Sequence, residues 1–154
     1  MDQVQAIWVA LSAEGLDYLS PPPSFETHGQ KIVPPGEVLQ HGSGACLDLS
    51  VLMATVFERV GLHPVLILVE GHAFVGVWLD GTPYSSAIHD SGVAVRKAVD
   101  SGELLVLETT LLASDAPLDA ARAAARKHLD DDGAFLFLLD IQSARESFLS
   151  LIHI

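Results

Sequence analysis

The chain has 154 residues, 49% of them hydrophobic, and a formal net charge of −12. That length and composition predict one domain with a sizeable core and argue against wholesale disorder. The acidic balance argues against direct nucleic-acid binding, which needs a face of clustered Lys and Arg.

A single cysteine cannot form an internal disulfide and fits a reducing compartment. No apolar run is long enough to cross a bilayer, and no charged-then-apolar leader is visible. Together these predict a cytoplasmic protein with no membrane partner. No repeats or low-complexity segments occur.

Val4, Ile7, Trp8 and Leu11 recur at helical spacing, so residues 2–14 read as an amphipathic helix ended by Gly15. Tyr18 to Gly36 contains Pro21, Pro22, Pro23, Pro34 and Pro35, which forbid regular helix or central strand. It reads equally as a plain connection or as the lining of a cleft. Gly36–Gln40 fits one short helical turn, and His41–Ala45 a small, flexible loop.

Cys46–Val60 then reads as a helix apolar nearly all round, its polar residues confined to Asp48, Ser50, Thr55, Glu58 and Arg59. Such a helix is central and buried. Gly61–Pro64 is a turn, Val65–Val69 an interior strand, Glu70-Gly71 a tight turn, and Ala73–Leu79 the partner strand. Asp80–Gly92 is a polar loop, and Val93–Asp100 a short helix stopped by Gly102. Leu104–Leu107 is a buried strand. Leu118–Leu129 is an Ala-rich helix with Pro117 in its first turn, ended by Asp130–Asp132 and Gly133. Ala134–Ile141 is a fourth strand and Gln142–Phe148 a last short helix. The apolar ending LSLIHI fits a docked terminus or a domain cut from a longer protein.

Simple lengths bring three chemical groups together. The helix starting at Cys46 rises roughly 22 Å, at about 1.5 Å per residue. The following strand returns a similar distance, at roughly 3.3 Å per residue. His72 then arrives near the helix N-terminus, where Cys46 sits. An antiparallel strand ending at Glu108 returns to the same end.

The first turn of a helix favours a thiolate at Cys46 through its free N–H groups and dipole, although a lone Cys is more often a small core residue. Gly42 and Gly44 leave room for a substrate backbone. A histidine beside the thiol can take its proton and return it to a leaving group; a lone strand His is otherwise usually structural. A carboxylate orients such a histidine, and Glu108 ends an apolar strand where a charge is otherwise poorly placed. Asp80 and Asp90 are alternative acids, and His41 is the best substitute base. Gln40, six residues before Cys46, could donate to an oxyanion or be a plain surface residue. Asp48 fits a structural hydrogen bond or cap. One Cys with dispersed His gives no metal-ligand pair at short spacing, and no phosphate-binding Gly loop is present, so no metal or cofactor is expected.

These residues resemble a family. Gly44-Ala45-Cys46-Leu47-Asp48 and Gly71-His72-Ala73-Phe74 are similar to the nucleophile and base motifs of transglutaminase-like domains, within the papain-like cysteine protease fold. Glu108-Thr109-Thr110 corresponds to the third motif, with Glu in place of Asp. Tyr18-x-x-Pro21-Pro22 and Leu104–Leu112 are also similar to the transglutaminase-like module of large bacterial helicase-related proteins. The resemblance covers residues 40–110, under half the chain. It implies an α+β fold, with a central buried helix packed on a small antiparallel sheet and flanking helices. It also implies acyl transfer on an amide bond of a peptide or protein, through Cys46, His72 and Glu108. Whether the acyl group goes to water or to an amine stays open. An active site requires Cys46 to be partly exposed beside His72. The alternative is an inactive module on the same fold that recruits or regulates other domains of a larger chain.

Overall fold

The computed structural model describes residues 1–20, 31–80 and 84–152. The readings for Pro21–Pro23, Gly81, Pro83 and the last two residues, with His28, lie outside the described residues. The elements run α1 (Asp2–Ser12), β1 (Asp17–Tyr18), α2 (Pro35–His41), β2 (Ser43–Gly44), α3 (Cys46–Arg59), β3 (His63–Val69) and β4 (His72–Trp78). They continue with β5 (Ile88–His89), α4 (Gly92–Asp100), β6 (Leu104–Leu107), a 3-10 segment (Thr109–Ser114), α5 (Leu118–Lys127), β7 (Phe135–Asp140) and α6 (Ile141–Ile152).

The fold is mixed α+β. Five strands form one antiparallel sheet in the order β5-β7-β3-β4-β6. Continuous apolar runs in β3, β4 and β6 are explained by burial on both faces. Leu66, Val75, Val77, Leu105 and Leu107 meet Trp8 of α1 and Leu49, Leu52, Met53 and Phe57 of α3. Alternate residues Val65, Ile67, Phe74, Trp78, Leu104 and Val106 meet Val95 of α4, Ala125 of α5 and Leu129 beyond it. Full burial of a side chain such as Phe57 or Leu49 contributes about 1.5–3 kcal/mol, which makes α3 a principal anchor of the first layer.

The N-terminus of α3 is fixed by a buried carboxylate. Asp48 is 4% accessible. It accepts from Ala45 N at 3.0 Å, one half of a capping box, and from Val33 N at 2.8 Å. Its expected capping role is therefore present, but the side chain faces inward and also ties down the segment before α2. That segment is held by long-range bonding the sequence does not display.

Several boundaries differ from the sequence reading. α2 runs from Pro35 to His41, longer than one turn, because Pro35 fits a first helical turn where no N–H bond is needed. Strand β3 begins at His63, and Pro64 lies within it. Pro64 is tolerated because β7 pairs only from Val65 onward, so no ladder donor is lost on that side. The loop between β4 and α4 contributes β5, which pairs with β7. The last helix extends to Ile152. Val69 pairs with His72 across a two-residue turn, where Gly71 takes φ 69°, a conformation open to glycine.

Gly76 sits where the sheet is tightest. An added Cβ would meet Val65 Cγ2 at 2.8 Å and Leu105 O at 3.1 Å. Gly76→Ala is expected to destabilise the protein by about 1–3 kcal/mol through overpacking; an unchanged urea midpoint would contradict this packing. Asp48→Ala leaves two backbone donors without their partner and is expected to cost about 1–3 kcal/mol in the same assay.

Candidate active site

Three elements meet at the α3 N-terminus. Cys46 is the first residue of α3, His72 the first of β4, and Glu108 follows β6 as the cap of the 3-10 segment. Gly44 packs closely on the first turn of α3: a Cβ there would lie 3.0 Å from Asp48 Cβ. His72 Nε2 donates to Glu108 Oε2 at 2.7 Å. Since that nitrogen is committed, Nδ1 is the ring atom left to face Cys46, and each of the two groups shifts the other's titration. Of the three carboxylates weighed for this place, Glu108 is the one bound to His72.

The electrostatics follow from these contacts. Burial pushes the Cys46 thiol up. The hydrogen bond from His72, the Ala73 backbone N–H, the positive charge of His72 and the Leu47 backbone N–H outweigh it, and the thiol lies below its ordinary range. Burial pulls His72 down, but its bonds to Cys46 and Glu108 and their negative charges raise it to about 9. Glu108 is only 4% accessible. Burial pushes its carboxyl up, yet donors from His128, His72 and Thr110 and the charge of His72 hold it well below the usual carboxylate range. These directions favour a thiolate–imidazolium pair backed by a carboxylate.

A buried hydroxyl knot joins the same three elements. Ser50 Oγ donates to Cys46 O at 2.7 Å, lies 3.4 Å from Ala73 O, and meets Thr109 Oγ1 at 2.9 Å. Its three partners are Cys46, the neighbour of His72 and the neighbour of Glu108. The sequence marked Ser50 only as a polar residue on an apolar helix. Tyr18 also faces the site: burial and then the Cys46 charge raise its phenol, with Ser20 hydrogen bonding opposed and Glu108 adding to the rise.

His128 is the second residue that sequence reasoning missed. Its Nε2 donates to the same Glu108 Oε2 at 2.9 Å. It sits at the C-terminal cap of α5, twenty residues from Glu108 in sequence, and no local pattern marks it. Donor atoms of His72, Glu108 and His128 lie within 4.8 Å of one another and could hold a divalent cation. Short ligand spacing could not reveal this cluster, because its members come from three separate segments.

Three further residues singled out in the sequence take these positions. Gln40 is exposed on α2, and no described hydrogen bond joins it to Cys46, His72 or Glu108. His41 is likewise exposed at the end of α2. Cys46 is 6% accessible rather than partly exposed.

No protein-family model, curated protein or solved structure matches the chain. No helix of the described residues is long and apolar enough to cross a membrane.

The pH dependence has a definite sign. Below the lowered Cys46 pKa the thiol is protonated, and above about 9 His72 loses its proton. The ion pair occupies the window between. Iodoacetamide alkylation of Cys46 is therefore expected to persist well below the reference thiol pKa of about 8.5. In His72→Ala burial remains without its main opposition, so the alkylation midpoint should move to or above that reference. Superimposable pH profiles for the parent and the variant would exclude the pair.

Proposed function

We propose that the domain carries out cysteine-dependent acyl transfer on an amide bond, of the transglutaminase-like or papain-like type, through Cys46, His72 and Glu108. The observation that carries this reading is the division of labour on one imidazole: Nε2 is bound by Glu108, and Nδ1 is left for Cys46. A relay of this order needs the same three chemical types on three elements.

In the proposed cycle the Cys46 thiolate forms a C–S bond to the amide carbonyl carbon. The free N–H groups of the first turn of α3 stabilise the oxyanion. As the C–N bond breaks, the imidazolium gives its Nδ1 proton to the departing amine. Water or an amine then attacks the thioester and surrenders a proton to Nδ1, and the C–S bond breaks to restore the thiolate. Glu108 stays ionised throughout and stabilises the imidazolium. The acceptor, water or amine, decides between peptidase or amidase and transglutaminase. Substrate is a peptide or protein amide, and other domains of a larger chain are natural partners.

A second reading is favoured by the low accessibility of Cys46. The domain would then be an inactive module that keeps the fold to bind or regulate partners in a larger protein.

A minimal acyl donor separates the two readings without knowledge of the substrate. With p-nitrophenyl acetate, the enzyme reading expects a stoichiometric burst and an acetyl adduct on Cys46 by mass spectrometry. The burst should be absent in Cys46→Ala and slowed on the order of 10²–10⁴-fold in His72→Ala. A thiol acylated no faster than a free cysteine would remove the enzyme reading and leave the module.

A further inference from the structure

The third group of the site is held by more than its histidine partner. Glu108 Oε1 accepts from Thr110 N at 3.2 Å and from Thr110 Oγ1 at 2.8 Å. Oε2 accepts from His72 and from His128, at 2.7 and 2.9 Å. An ionised carboxylate only accepts, so both Nε2 atoms carry a proton and both rings have a fixed tautomer at that nitrogen. A relay from carboxylate to base to thiol needs one histidine on that oxygen, yet two are present.

His128 is rigidly placed. Its ring centroid lies 4.7 Å from that of His72 and 5.4 Å from that of Phe74. Its backbone N–H closes the last turn of α5 on Ala125 O, and the next residue, Leu129, is buried in the second core layer. Its side chain is 38% accessible, so one edge meets solvent while Nε2 enters the buried carboxylate. A glutamate has one more rotatable bond than an aspartate, and ordering it costs more side-chain entropy. Thr110 fixes one oxygen; the other can swing away from His72 unless something opposes it.

We infer that His128 is a positioning residue. Its Nε2–H clamps Glu108 Oε2 on the line to His72, and its ring shields that hydrogen bond from water. It acts on Cys46 only through Glu108 and His72, and touches no reacting atom. Alternation along β4 and β6 gives the physical basis. His72 shares strand parity with Phe74, and Glu108 with Leu104 and Val106, residues of the layer packed by α5. The end of α5 packs on that layer, and from it His128 reaches the carboxylate edge. In its catalytic consequence, the inference rests on the acyl-transfer reading.

Two variants of the full chain separate donation from packing. His128→Phe keeps a ring against Phe74 and removes the donor; His128→Gln removes the ring and keeps an N–H. In His128→Phe, Cys46 alkylation at pH 6 is expected to fall about tenfold with the profile displaced toward higher pH, since a tenfold loss of thiolate is one pKa step. His128→Gln should stay within about threefold of the parent, less than half such a step. A parent-like profile in folded His128→Phe, or an equal loss in both variants, would overturn the donor role. Proton NMR provides the independent readout. The low-field Nε2–H resonance of His72 is expected in the parent and should weaken in His128→Phe but not in His128→Gln. That signal reports on Glu108 even if Cys46 proves inert, so failure of the clamp and failure of the acyl-transfer reading are distinguishable. An unchanged His72 resonance in His128→Phe would sink the clamp.

Discussion

The Glu108 carboxylate is the constraint on which the site depends. A charge this deeply buried is tolerable only with its lone pairs filled. Four donors do so: the Thr110 amide and hydroxyl on one oxygen, and the His72 and His128 rings on the other. These donors come from the 3-10 segment, β4 and the end of α5. Satisfying one carboxylate therefore fixes the relative position of three elements, and the raised basicity of His72 is a consequence of the same arrangement.

The thiol side of the site is fixed by a different device. Asp48 pins the first turn of α3 to the preceding segment, and Ser50 ties that turn to Ala73 and Thr109. Cys46 is thus held against His72 by bonds to residues on either side of the triad and not by contacts of the sulfur alone. Neutral hydroxyl bonds of this sort contribute about 1 kcal/mol each, but an unpartnered buried hydroxyl costs about 1–3 kcal/mol. The penalty for breaking the knot is larger than the gain from forming it, which favours one defined geometry.

The electrostatics of Cys46 and its accessibility pull in opposite functional directions. His72 and the backbone of Ala73 and Leu47 lower the thiol, yet the residue is only 6% accessible. Activation of Cys46 and access to it are thus set by different features, charge and hydrogen bonding for the first and packing for the second.

The sequence by itself determined the elements and the meeting of three of them. A helix apolar nearly all round marked α3, and short apolar runs marked β3, β4 and β6. The matched lengths of α3 and β3 brought His72 back to Cys46, because rise per residue is fixed by backbone geometry. Antiparallel return then placed Glu108 at the same end. Only the tertiary structure decided the rest. Whether Cys46 is open or enclosed depends on side-chain packing that spacing does not encode. Gln40 lies near Cys46 in sequence, yet the course of α2 leaves it exposed. Ser50 and His128 carried no local signal, because their roles exist only through partners 59 and 20 residues away, Thr109 and Glu108. A hydrogen bond across the fold is a property of how layers pack, and strand and helix periodicity say nothing about which polar group will face another.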